Sequence, residues 1–429
     1  MIQPIRADYP IASHRYLADP FGLVYNGRLY IYCSNDSDNT GTSYVMHSIV
    51  CVSTADLKNW QDHGVVFNVP ADCSWSGYSW APSVVYRNSK FYMYFGSGVG
   101  AVGVASSTSP TGEFKDAKGS ALINSSTPGA PGVSQWYFDP GILVDTAGQA
   151  YLAFGGLDVS NARIIKLNSD MISVNGSAVA IPAPYFFEAS NLHQYNGKYY
   201  FSYETQAANG LNIWYGISSS ATTGYTWHTA VLTAPSNSNN NQASFVNFNG
   251  AWYAPYHNRY TSGGTVVHRN LCLDKVNYNS DGTIQTVSCT LDGLTQLSNL
   301  NPYSNVEAET FAQQSGINTE ACSEGTLDVG WIENGDWLRI RGVNFTSTAA
   351  KSFSARVASA TSGGNIEIHL DSLTGTLIGT CAVAGTGGWQ TWVTKSTTVT
   401  STTGVHDVYL KFTGGSGYLF NFNWWVFGH

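Results

Sequence analysis

Three acids stand where acids are expensive. Asp19, Asp139 and Glu188 each head an alternating apolar run, in "ADPFGLVYNGRLYIYCS", "FDPGILVDTAGQAYLAFGG" and "FEASNLHQYNGKYYFSYET". A carboxylate at the mouth of a buried strand is costly unless it is paired, hydrated or used. Two carboxyls flanking one bond, one protonated and one ionised, are the apparatus of glycosidic bond hydrolysis. The acid protonates the leaving oxygen while the carboxylate attacks or activates a water. A third carboxylate beside the proton donor raises its pKa by like-charge repulsion and keeps it protonated near neutral pH.

The elements that must position these acids form a repeat. "APSVVYRNSKFYMYFGS" from Ala81 and "QASFVNFNGAWYAPYHN" from Gln242 share the same shape, and the five segments recur every 49 to 62 residues. Period-two alternation around a Gly- or Asn-bearing turn predicts strand, tight turn, strand. Further strands, such as "SIVCVSTADLKNW" and "LNIWYGISSS", lie between the repeats. Four strands in each of five repeats predict a five-bladed β-propeller over residues 1–298. The innermost strands of a propeller line its channel. The matching positions Asp19, Ala81, Asp139, Glu188 and Gln242 are therefore expected to converge at one end, three of them carboxylates.

A short polar connector, 299–303, ends this pattern. Residues 304–429 lack the repeat motif but alternate in "SFSARVASA", "GNIEIHL", "VHDVYLKF" and "YLFNFNWWVF". That predicts a β-sandwich of the jelly-roll kind, large enough to bury its own core. The fold class is all-β.

Composition narrows the partner. Charged residues make up 11% of the chain, aromatics 14%, and the net charge is −8. An average soluble protein carries about 25% charged residues, so this mix suits a turn-rich protein handling a neutral polar ligand. The negative balance argues against a nucleic-acid partner, and no segment reaches the apolar length that spans a bilayer. "MIQPIRADYP" has no apolar h-region and reads as the start of a mature chain whose secretion signal has been removed. Sequons at Asn35, Asn124, Asn175 and Asn344 fit an extracellular glycoprotein. Seven cysteines lack any C-x-x-C metal spacing; Cys272 with Cys289 and Cys322 with Cys381 are candidate disulfides, and Cys33, Cys51 and Cys73 leave one thiol over.

The Asp-Pro after "RYLA", the "WAP" at Trp80 to Pro82, "YFDPGILVD", "FFEASNLHQYNGKYYFSY", "APYHNRY" and "HRNLCLDKVNYNSDGTIQTV" together resemble glycoside hydrolase family 43 over residues 10 to 298. The resemblance implies Asp19 as general base, Asp139 as pKa modulator and orienter, and Glu188 as general acid. It implies an inverting reaction, with a water between Asp19 and Glu188 and a carboxyl separation of about 6.5–9.5 Å. It also implies three substrate-side residues. Trp80 stacks on the sugar, His257 lies near the axis as a metal-linked or substrate-side residue, and Arg269 pairs with Asp139 or a sugar hydroxyl. Five-bladed enzymes that cleave fructans and sucrose carry signatures resembling W-M-N-D-P-N-G, R-D-P and E-C. The corresponding stretches here, "YLADPFG", "YFDPG" and "FEAS", depart from all three.

The C-terminal run "VEAETF … GTLDVGWIENGDWLRI … GTGGWQTW … YLFNFNWWVF" resembles a family 6 carbohydrate-binding module. That resemblance implies a sugar clamped between Trp331 and Trp389, since the C–H faces of pyranoses stack on aromatic rings. It implies Asn421 as a hydrogen-bonding partner and a structural Ca²⁺ near Glu307, Glu309 and Asn423, hard oxygen ligands that suit this cation. Trp392, Trp424 and Trp425 are expected to pack internally.

The expectation is a secreted, monomeric exo-glycoside hydrolase acting on plant cell-wall polysaccharide. Specifically, it is an α-L-arabinofuranosidase that removes arabinose side chains from arabinoxylan, its module holding it on xylan. The alternatives are a β-xylosidase, an arabinanase or a galactanase. From a different class, a lectin-like propeller is a further alternative, against which the presence of all three acids speaks.

Overall fold

The computed structural model describes residues 9–132, 135–233, 240–259, 265–291 and 293–429. Residues 1–8, and Tyr260 of the "APYHNRY" motif, lie outside them. Strands and turns make up the described chain, with two short 3₁₀ turns at Asp36–Asp38 and Ala207–Asn209 and no α-helix among the described residues.

The chain divides into two compact units. One comprises Arg15–Cys51 and Val65–Gly293; the other gathers the described residues up to His14, Val52–Gly64 and Leu294–His429. The larger unit is organised by consecutive antiparallel sheets that follow the repeat. Their first hairpins are Leu17–Tyr25 with Arg28–Asn35, Trp80–Arg87 with Lys90–Gly96, Gly141–Val144 with Ala150–Phe154, Phe186–Tyr195 with Lys198–Thr205, and Val246–Phe248 with Ala251–Asn258. The first four sheets each continue to at least four strands and the fifth has three, closing on Asn270–Val276. Positive-φ residues at the tight turns, such as Asn26, Asn196 and Asn249, explain why the sequence places Asn and Gly there.

Three of the five sheets open on an irregularity. The strand registers slip between Ala18 and Phe21, Trp80 and Ser83, and Glu188 and Asn191. In each slip a non-glycine residue takes the left-handed conformation: Asp19 (φ 50°), Ala81 (φ 43°) and Ala189 (φ 58°), and Asp139 (φ 47°) does the same at the head of the third sheet. Such residues persist only where the surroundings over-determine them. Part of that determination is a chain of hydrogen bonds from one sheet to the next. Ala81 N–H donates to Ser34 Oγ, Ala189 N–H to Asp139 Oδ2, and Asn241 N–H to Glu204 Oε1. Asp19 N–H donates to His257 Nδ1, which joins the fifth sheet to the first.

This geometry corrects the expected alignment. The left-handed position belongs to Asp19, Ala81, Asp139 and Ala189, so Glu188 stands one residue before it. The cross-strand pairs agree: Ala18 faces Ser34, Trp80 faces Gly96 and Glu188 faces Glu204. A bulge opposes two residues to one, so counting by twos slips there. Glu188 is the counterpart of Trp80, not of Asp19 and Asp139.

In the smaller unit, a six-stranded sheet (order Asn318–Ala321, Leu327–Gly330, Asn421–Gly428, Ala350–Ala358, Val393–Thr402, with Val306–Glu307 beside Asn421–Gly428) and a five-stranded sheet enclose one core. Trp425, fully buried against Phe353 and Phe427, belongs to it as expected, whereas Trp392 and Trp424 are only half-buried. Within the same unit Thr310 and Phe311 pair with Gln61 and Trp60, and Asp62 accepts from Thr319 Oγ1 at 2.8 Å and meets His14 Nε2 at the same distance.

All seven cysteines are free thiols, so neither expected disulfide is formed. Cys381 lies in the strand Leu377–Ala384 of the five-stranded sheet, while Cys322 follows a strand of the six-stranded one. Of the sequon asparagines, Asn35 is buried and its amide donates to Asp38 and Ser48, which leaves no room for a glycan; Asn175 is exposed.

Where successive sheets touch, side chains must be absent. A Cβ built on Gly141 would lie 2.4 Å from Ser190 O and 2.8 Å from Asn191 Cα. Backbone cannot yield as a side chain can, so Gly141→Ala is expected to destabilise the protein by about 1–3 kcal/mol in denaturant melts. An unchanged midpoint would mean that the third and fourth sheets do not meet there.

Candidate active site

The irregular strand heads surround a cavity of about 360 Å³ in the larger unit, within the range of small-ligand sites. Asp19, Asp139 and Glu188 all line it, as do Trp80 and Arg269. The convergence expected of the three acids therefore occurs, although Glu188 arrives from a different register position. Trp136, Phe138 and Phe187 supply further aromatic wall, with Trp136 edge-on to Phe138. Flat aromatic faces beside carboxyls suit a sugar, whose C–H faces stack and whose hydroxyls need acceptors.

Arg269 fixes the first acid. Its Nη1 lies 2.6 Å from Asp19 Oδ1 and its Nη2 3.3 Å from Oδ2. On its other side Nε and Nη2 donate to Asp36 at 2.8 and 2.9 Å, and its backbone N–H reaches Asp36 Oδ2 at 2.8 Å. The expected alternative, pairing with Asp139, is not what the fold provides: the 3₁₀ turn after Arg28–Asn35 delivers Asp36 to the guanidinium instead. Burial alone would raise Asp19, but the charge of Arg269, helped by the His257 ring and Ser34 beside the carboxyl, outweighs it and holds the carboxyl far below the usual range.

His257 stands behind Asp19, fully buried and outside the cavity lining. Its Nδ1 accepts the Asp19 N–H, and its Nε2 lies 3.3 Å from Asn240 O, which fixes the proton on Nε2. It therefore does not touch the cavity directly. Trp80 is half-buried on the wall, its indole nitrogen without a hydrogen-bond partner.

The other two acids shift the opposite way. Burial, then the charge of Asp19, lift Glu188 to about 7, against the pull of Glu204 and Arg269. Burial, then the charges of Glu188 and Asp19, push Asp139 well above the ordinary carboxylate range. Asp139 Oδ2 accepts the N–H of Ala189 at 2.9 Å, the peptide directly after Glu188. Asp19, whose surroundings favour the ionised form, thus shares one aromatic-walled cavity with Glu188 and Asp139, whose surroundings favour the protonated form.

The smaller unit has its own cleft, also about 360 Å³. Trp331, Trp389 and Asn421 line it together, as expected, and Glu320, Gln390 and Tyr418 complete it. Trp331 is 41% and Tyr418 49% exposed, large apolar faces open to solvent. Asn421 Nδ2 donates to Glu320 Oε1 at 2.6 Å. Elsewhere in the unit the expected calcium donors come together, because Ala308 N–H bonds to Asn423 O and Glu307 pairs with Trp424. Buried Glu309 Oε2 and Asn423 Oδ1 have no hydrogen-bond partner. Two carboxylates and an amide oxygen fit a hard cation. They are not a cluster of three Cys, His, Asp or Glu side chains, of which none occurs among the described residues.

Sequence reasoning missed Asp36, Trp136, Phe138, Phe187 and Glu204. Of these, the aromatics directly before Asp139 and Glu188 carried a signal, since each neighbours an acid already singled out.

Residues 7–284 match the family model for glycosyl hydrolases family 43, and residues 307–429 that for carbohydrate binding module (family 6). An arabinoxylan arabinofuranohydrolase of Bacillus subtilis (strain 168) is 41% identical over 97% of this chain and 92% of that protein. One from Paenibacillus polymyxa is 39% identical over 97% of this chain and 74% of that protein. The crystal structure of a glycoside hydrolase family 43 arabinoxylan arabinofuranohydrolase from Bacillus subtilis in complex with cellotetraose matches with a TM-score of 0.93 at 40% identity, covering 99% of this chain and 98% of that one. Fold, acid-lined cavity and family models agree: this chain is a glycoside hydrolase of family 43 that carries a C-terminal carbohydrate-binding module of family 6.

Proposed function

We propose that the chain is a secreted, monomeric, inverting exo-acting α-L-arabinofuranosidase that removes arabinose side chains from arabinoxylan. The observation that carries this reading is the convergence of Asp19, clasped by Arg269, and Glu188 on one small aromatic-walled cavity. The names of the relatives supply the substrate class. The catalytic domain is residues 1–298, a five-bladed β-propeller, followed by the linker 299–303 and the module 304–429.

In this reading Glu188 gives its proton to the glycosidic oxygen as the anomeric C–O bond breaks. Asp19, held ionised by Arg269, takes a proton from the water that attacks the opposite face of the sugar, so configuration inverts. Asp139 orients Glu188 through the Ala189 peptide. Trp80 stacks on the bound sugar, and Arg269 positions the base. His257 holds the Asp19 backbone and its partner loop. In the module, Trp331 and Trp389 clamp a xylose unit of the main chain and Asn421 hydrogen-bonds it. Glu307, Glu309 and Asn423 would hold a Ca²⁺ whose contribution is structural.

Chromatography of the sugars released from arabinoxylan tests the activity, with Glu188→Ala as the blank. Arabinose alone is expected, and loss of general acid catalysis is expected to slow the variant by about 10²–10⁴-fold. Xylose as the product would replace the reading with a β-xylosidase. Full activity in the variant would remove Glu188 from its role.

Trp331→Ala and Trp389→Ala are each expected to weaken retention on insoluble xylan about tenfold or more, with hydrolysis of a small aryl arabinofuranoside unchanged. Equal retention by both variants would take the clamp out of the account.

A further inference from the structure

One buried carboxyl remains without a role. Glu204, in the strand Lys198–Thr205, faces Glu188 directly across the pair. It is fully buried and does not line the cavity. Its counterparts in the first two sheets are Ser34 and Gly96, small residues that place no acid behind the strand head. Burial, then the charge of Glu188, push Glu204 well above the ordinary range, and Asp139 adds to the repulsion. A carboxyl so placed keeps its proton, because desolvation and like charges both disfavour the ionised form.

The hydrogen bonds say where that proton sits. Oε1 accepts the N–H of Asn241 at 2.7 Å, so it is the acceptor oxygen. Oε2 has no hydrogen-bond partner, which leaves it as the O–H of a neutral acid. Asn241 itself lies between Asn240 and Gln242, both of which line the cavity. Glu204 therefore stands between Glu188 and one wall of the site.

We infer that Glu204, opposed to Glu188 across the strand pair, is a positioning residue that turns its Oε2–H to the Glu188 carboxylate at the moment Glu188 releases its own proton, while its Oε1 holds the Asn240–Gln242 wall. The inference rests on the role of Glu188 proposed above. The transferred proton is that of Glu188, and it leaves with the glycosidic oxygen. The Glu204 proton is shared, not consumed, and stabilises the charge left behind. A hydrogen bond to an ionised partner is stronger than one between neutral groups, so the Oε2–H, without a partner in the resting enzyme, gains one as Glu188 becomes a carboxylate.

The test compares kcat/KM against pH for the full-length enzyme and for Glu204→Gln, Glu204→Leu and Glu188→Gln. Two substrates are used: a nitrophenyl α-L-arabinofuranoside, whose leaving group needs little protonation, and an arabinoxylan oligosaccharide, whose leaving group needs it fully. Glu204→Gln keeps a donor toward Glu188 and an acceptor for Asn241, so its profile is expected to overlay that of the wild type. Glu204→Leu removes the donor. Glu188 then becomes a weaker acid, so the alkaline limb is expected to move up by about one pH unit. The oligosaccharide rate falls about tenfold or more through kcat, and the aryl substrate loses less.

A Glu204→Gln limb displaced downward would mean that Glu204 carries a charge in the wild type, and would overturn the inference even if the leucine variant fails to fold. A Glu204→Leu enzyme with wild-type limb and rates would overturn it as well. Glu188→Gln separates the two levels. If that enzyme is inactive on the oligosaccharide while Glu204 variants behave as wild type, only the inference fails; if it is fully active, the proposed role of Glu188 fails first.

Discussion

The guanidinium of Arg269, clasped between Asp19 and Asp36, is the interaction on which the site depends. Asp19 and Asp36 come from the first repeat and Arg269 from the fifth, 250 and 233 residues away along the chain. The three side chains are almost wholly buried. Taking such charges out of water is expensive, and the cost is offset only when geometry is good and every polar edge is met. Here the fork of Arg269 meets both carboxylates, its backbone N–H adds a further bond, and Tyr44 covers the guanidinium at 5.0 Å. Complete burial pushes Asp36 upward against the same cation, so Asp19 is the acid that Arg269 holds ionised most firmly.

The opposite fate of Glu188 follows from what it lacks. Among the described residues no cation clasps it; burial and the fixed negative charge of Asp19 favour its neutral form. The two carboxyls thus diverge because one strand head meets an arginine while the other is buried facing the charge of Asp19. The left-handed residues at the strand heads belong to the same design. They turn the chain so that neighbouring positions along a strand, Trp80 in one sheet and Asp139 in the next, reach one cavity. Their strain is held by hydrogen bonds passed from sheet to sheet.

Much of this was legible in the sequence. Period-two alternation and Asn or Gly turns gave the five hairpins, and their regular recurrence brought Asp19, Asp139 and Glu188 together before any coordinates. The aromatic pair and Asn421 of the C-terminal cleft were likewise found from their motifs. The offset of Glu188 was not legible, because a bulge adds a residue without changing the apolar pattern. Nor was Asp36, which lies in the polar "SNDSDN" stretch and acquires its partner only through contacts more than 200 residues distant. Glu204 was hidden for the opposite reason: "FSYET" reads as the end of a core strand, and only cross-strand register reveals that it faces another acid. The thiols mislead because spacing along the chain says nothing of which sheet each one joins.

The central claim is that Asp19 and Glu188 hold opposite protonation states in the resting enzyme. Carbon-13 NMR of the full-length protein labelled at the side-chain carboxyls, assigned with Asp19→Asn and Glu188→Gln, measures this directly. The account predicts an Asp19 resonance that stays at its ionised position to well below the usual aspartate range, and a Glu188 resonance that titrates near 7. An Asp19 carboxyl still protonated at neutral pH, or a Glu188 that titrates near an ordinary 4.5, would contradict it.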